Sequence, residues 1–85
     1  MSTVVDQFID SLWLERGLSK NTLEAYRRDL TLLQIWLGND LLVTSKGQID
    51  AYFLAKHPAT KGTTAKRRLT TFKRFFRWAA REKLI

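Results

Sequence analysis

Cysteine is absent from this 85-residue chain, which excludes a disulfide framework and a thiolate metal site. One histidine, His57, leaves no imidazole cluster for a metal and no set from which a Ser-His-Asp triad could be built. Four glycines and one proline supply neither a glycine-rich phosphate loop nor a low-complexity linker. No apolar run approaches the ~18 residues that a membrane span requires, and Asp6 and Asp10 stand where a secretory signal would be basic. These absences lead us to expect a cytoplasmic protein with no cofactor, no metal and no membrane partner. Eighty-five residues make one domain with a small core. The 45% hydrophobic content and the three Trp, two Tyr and five Phe are too apolar for a disordered tail.

Acid is scarce in one place only. Residues 1 to 57 carry six Lys or Arg against seven Asp or Glu, whereas residues 58 to 85 carry nine against Glu82 alone. The whole net charge of +7 therefore sits in the last third. A segment so one-sided points to a polyanionic partner, because a merely solvated face usually intersperses acids with its bases.

Apolar spacing and capping residues divide the chain into four helices. The first spans about Thr3 to Arg16, with Val5, Phe8, Ile9 and Leu12 on one face, Leu14 opposite, and Gly17 as a stop. Ser19 opens the second as N-cap; Leu23, Tyr26, Leu30, Leu33 and Leu37 form its stripe, and Gly38-Asn39 end it. Ser45 and Gln48 stand at capping-box spacing before a short third helix that turns Ile49, Tyr52 and Phe53 inward and ends before Pro58. The fourth runs from Gly62 to Lys83, with Thr60 or a neighbour as cap. Its stripe reads Ala65, Leu69, Phe72, Phe76 and Ala79. At about 100° per residue, Thr63, Lys66, Arg67, Thr70, Arg74, Arg77 and Arg81 share the opposite arc. Alternating β-branched runs and hairpin turns are missing, so the expected fold is all-α, a compact bundle.

Catalytic groups do not converge. Asp6, Asp10, Glu15, Glu24, Asp29, Asp40 and Asp50 scatter over polar faces and loops, as solvated groups or surface pairs such as Glu24 with Arg28. The basic arc is better suited to duplex DNA, whose close-spaced phosphates reward a cationic helix of a width that enters the major groove. Thr63, Thr64 and Thr70 add short hydroxyls that reach phosphates or base edges. Ser19-Lys20-Asn21-Thr22 reads either as a plain N-cap or as a second phosphate seat on exposed helix amides. Leu14 and Trp78 lie off the core stripes; each either packs on a neighbouring helix or forms a docking surface.

The run Ser19-Lys20-Asn21-Thr22-Leu23-Glu24-Ala25-Tyr26-Arg27-Arg28-Asp29-Leu30, with Trp36-Leu37, resembles the N-terminal core-binding domain of the tyrosine recombinase (phage integrase) family. Phe8-Ile9-Asp10-Ser11-Leu12-Trp13-Leu14-Glu15, Lys61 to Leu69 and Arg81-Glu82-Lys83 are most similar to its Xer-type members. The resemblance implies a SAM-like bundle of four or five helices forming half of a clamp around a recombination half-site, in chromosome dimer resolution. It implies DNA contacts at Lys20, Asn21, Thr22, Lys61, Thr63, Thr64, Lys66, Arg67 and Thr70, with Arg74 beside them on the basic arc. It also implies a catalytic domain beyond Ile85, where an activated phosphate is attacked by a tyrosine, so residues 1 to 85 are expected to be non-enzymatic. Tyr26 belongs to the buried stripe and is not that nucleophile. In the full-length family a partner recombinase completes a heterotetramer and the first helix contacts a neighbouring protomer, a role open to Leu14 and Trp78; the isolated domain is expected to be monomeric. A phage or transposon integrase domain, a stand-alone helix-turn-helix regulator, and a basic module docking an acidic protein or membrane surface remain alternatives.

Overall fold

The computed structural model describes residues 3–85, with Pro58 described by its backbone only. It contains helices α1 (Val4–Arg16), α2 (Lys20–Leu37), α3 (Lys46–Lys56) and α4 (Gly62–Arg81), and two short 3-10 turns at Leu41–Val43 and His57–Ala59. Helix starts follow the expected chemistry. The Thr3 and Ser45 hydroxyls each accept the N–H three residues on, and the Asp6 and Gln48 side chains bond back to the cap amides. Ser19 caps α2 by accepting from the Thr22 N–H. Gly17 and Gly38 end α1 and α2 in the left-handed region, at φ 59° and 64°. Helix α4 has no side-chain cap: Lys61 holds the N-cap position, and the Thr60 hydroxyl donates to the Lys56 carbonyl instead.

The three-residue link Gly17-Leu18-Ser19 folds α2 back along α1. Asp29 of α2 meets Arg67 and Thr71 of α4, while Tyr26 lies under Arg74, so α2 and α4 run in opposite senses. Phe8 packs on Phe75 and Trp78, and Glu15 meets Arg81, which sets α1 and α4 in the same sense. The core has two aromatic centres. Phe8 stands edge-on to Phe75, with centroids 5.3 Å apart, at one end. Tyr52 gathers Trp36, Phe53 and Phe72 within 6.0 Å at the other. Each fully buried side chain of this size contributes about 1.5–3 kcal/mol through removal from water.

Two corrections to the sequence reading concern the core. Helix α4 buries Thr71, Phe72, Phe75, Trp78 and Ala79, whereas Leu69 is 44% exposed and Ala65 and Phe76 are half-buried. The buried face is rotated because α1 and α2 cover one flank of α4 while the short α3 covers only part of the other. Trp78, a candidate docking residue, is therefore core. Leu41 is the second: it plugs the core at 0% exposure from a turn in which the sequence reading places no element.

Candidate nucleic-acid interface

A buried carboxylate organises the seam between α2 and α4. Asp29 is fully buried, contrary to its expected place among solvated acids. Arg67 grips it as a fork, Nε to Oδ2 at 2.9 Å and an Nη to Oδ1 at 2.6 Å. The Thr71 hydroxyl, 3.2 Å from Oδ2 and 2.9 Å from the Arg67 carbonyl, shares its single hydrogen between them. Arg68 adds a second positive group at 3.6 Å. A carboxylate taken from water must be paired and hydrogen-bonded, and this one is. The bond to Asp29 raises the Arg67 pKa further above its ordinary value. Glu24 and Arg28, the surface pair expected from spacing, form no ion pair among the described residues.

Arg67, expected to contact DNA, thus has a partner inside the protein. The other candidates fall into two groups. Lys61, Thr63, Lys66 and Thr70 are exposed on the N-terminal half of α4, with Thr64 half-buried beside them. Lys20 and Asn21 are exposed at the start of α2. Thr22 is half-buried, and its hydroxyl oxygen lies 3.0 Å from the Ser19 hydroxyl that donates to it, leaving its own hydrogen free. Because α2 and α4 are antiparallel about Asp29, Lys61, Thr63 and Lys66 lie on the opposite side of the Asp29–Arg67 brace from Lys20 and Asn21, and Thr70 lies level with it, between Arg67 and Thr71. At 1.5 Å per residue the start of α2 is separated along the axes by roughly 15–28 Å from Lys61, Thr63 and Lys66, and by roughly 9–15 Å from Thr70. Between them stands Arg74, half-buried, its guanidinium 5.8 Å from the Tyr26 ring centre.

Leu14 is 80% exposed on α1, as the sequence reading expects, whereas Trp78 is turned inward. The brace was missed because a helical wheel gives an acid no reason to be inside; its signal was the position of Asp29 beside the Leu30 and Tyr26 stripe. Among the described residues no group of acids and histidine could hold a metal. No helix there is long and apolar enough to cross a membrane.

Comparison with known proteins agrees with this architecture. Residues 5–83 match the family described as phage integrase, N-terminal SAM-like domain. The chain is 51% identical over 84 residues to the tyrosine recombinase XerD of Ralstonia nicotianae, a match covering 95% of this chain and 27% of that protein. Its identity to XerD of Proteus mirabilis is 48% over 88 residues, and to XerD of Yersinia pestis 39% over 85, covering 95% of this chain and 27% and 28% of those proteins. The chain therefore spans about a quarter of the length of these relatives. No solved structure matches it. Four helices, no strand among the described residues and a family match over nearly the whole sequence lead to one assignment: the chain belongs to the phage integrase N-terminal SAM-like domain family, as found in XerD-like tyrosine recombinases.

Proposed function

We propose that this domain grips duplex DNA as one half of a clamp in a Xer-type site-specific tyrosine recombinase, acting in the cytoplasm on a recombination half-site during chromosome dimer resolution. The observation that carries this reading is the α2–α4 seam. Two sets of uncommitted donors, Lys20-Asn21-Thr22 and Lys61-Thr63-Lys66, flank an internal brace, with Thr70 level with it. Their separation, roughly 15–28 Å along the axes, is of the order needed to reach phosphates on both rims of a groove ~12 Å wide.

In this mechanism Lys20, Lys61 and Lys66 displace condensed counterions and provide most of the affinity, without regard to sequence. Thr63 and Thr70 lie nearest the groove floor and read base edges, while Asn21 and Thr22 fix the register on the backbone. Arg67 acts at one remove: it fixes the angle between the two helices, so that both donor sets meet the duplex together. The domain supplies position only. Cleavage and rejoining through a tyrosine, and pairing with a second recombinase, belong to the rest of the recombinase.

The test is a fluorescence-anisotropy titration of a short recombination-site duplex at several salt concentrations. Lys66→Ala and Lys20→Ala should weaken binding to every sequence and flatten the salt dependence by about one phosphate each, whereas Thr70→Ala should reduce discrimination between sites. Wild-type indifference to duplex DNA at low salt would overturn the reading.

A further inference from the structure

A cavity of about 300 Å³ opens between the C-terminal halves of α1 and α4, with Phe8, Leu12 and Trp78 among the residues that line it. Four arginines line it, Arg16, Arg74, Arg77 and Arg81, against a single acid, Glu15. That carboxylate is engaged: both its oxygens lie 3.2–3.3 Å from one Arg81 nitrogen. Arg74 is steadied over the Tyr26 ring. Arg16 and Arg77 are exposed and take no carboxylate among the described residues. Three positive charges are thus left without a counter-ion around one concave site.

We infer that this pocket is an anion site for a phosphate group. A planar carboxylate takes donors mainly in its own plane, whereas a tetrahedral phosphate offers oxygens in several directions to donors arriving from two helices. Arg16 ends α1 four residues before Lys20, so the pocket sits at the end of the bundle where α2 begins and continues the cationic surface beyond the α2–α4 seam. As the source of the phosphate, the duplex backbone rests on the half-site reading; the pocket itself does not.

The experiment follows the arginine Nε–H resonances of the chain in nitrogen-15 spectra during titration with inorganic phosphate, then with a short duplex. Phosphate should move Arg74, Arg77 and Arg81 and leave Arg67, committed to Asp29, in place. The R16A/R77A variant changes only exposed side chains, so its fold should survive, as circular dichroism would verify; its phosphate affinity should drop by about tenfold. With the duplex, R77A should lower the salt slope by about one phosphate, and Lys56→Ala should not. Phosphate binding with no duplex effect would keep the pocket and assign it to a free phosphate. Phosphate binding by a chain that ignores duplex altogether would overturn the half-site reading alone. If phosphate moves none of the pocket arginines, or moves Arg67 equally, the inference falls.

Discussion

Arg67→Ala is the perturbation that most sharply separates a brace from a DNA contact. Its removal leaves Asp29 at 0% exposure with only the shared Thr71 hydroxyl at 3.2 Å and Arg68 at 3.6 Å. Breaking a buried pair by deleting one partner costs about 3–5 kcal/mol. A domain of this length has a total stability of only about 4–13 kcal/mol, so much of it would be lost. Asp29→Ala should cost less, about 2–3 kcal/mol, because the Arg67 side chain is already 35% exposed and its charge can turn to water. The double variant should fall well short of the sum of the single effects, with a coupling of about 2 kcal/mol. Urea denaturation followed by circular dichroism measures all three. An Arg67→Ala variant within about 0.5 kcal/mol of wild type, a change typical of ordinary surface positions, would refute the reasoning.

Other expected outcomes follow from the same geometry. The Arg27 guanidinium, and then the Thr3 N–H, hold the Asp6 carboxyl below its ordinary 3.8. Because the folded value is the lower one, this stabilisation is complete above about pH 5 and disappears as pH falls through the folded value. An NMR titration should place the Asp6 midpoint below 3.8 and return it upward in Arg27→Gln; a wild-type midpoint at or above 3.8 contradicts the pairing. Trp78→Ala should cost about 3–5 kcal/mol without changing the sedimentation coefficient, since the indole fills the core; a mild cost with altered self-association would restore the docking role. Lys83 sits at φ 60° in a Schellman turn closed by the Leu84 N–H to the Ala79 carbonyl at 2.8 Å. Lys83→Gly should therefore raise stability by about 0.5–1 kcal/mol in thermal unfolding, and a loss would contradict it.

Helix identity was legible because it is local: caps at Thr3, Ser19 and Ser45 and stops at Gly17 and Gly38 act within a turn of their own position. The faces of α1 and most of α2 were legible for a similar reason, as Val5, Phe8, Ile9 and Leu12 and Leu23, Tyr26, Leu30 and Leu33 each recur at the three-and-four spacing of a single stripe. Helix α4 was harder. Its apolar arc is wider than any one neighbour covers, so which part becomes core depends on where α1, α2 and α3 sit, and Leu69 and Trp78 exchanged their expected places. The Asp29–Arg67 brace spans 38 residues of sequence, and Arg16 joins the α4 arginines only through tertiary packing. Such long-range pairings leave no periodic trace in the sequence. The exposed candidates at Lys20, Asn21, Thr63, Lys66 and Thr70 needed only the helical wheel and the family motif.

In the proposed clamp both donor sets, one on each side of the Asp29–Arg67 brace, hold one duplex. Its most direct test is the salt dependence of duplex binding for wild type, Lys20→Ala, Lys66→Ala and the double variant. The expected result is a steep wild-type slope that falls by about 0.9 for each lysine removed, additively, with folding stability unchanged. A slope that responds to only one of the two lysines, or to neither, would contradict it.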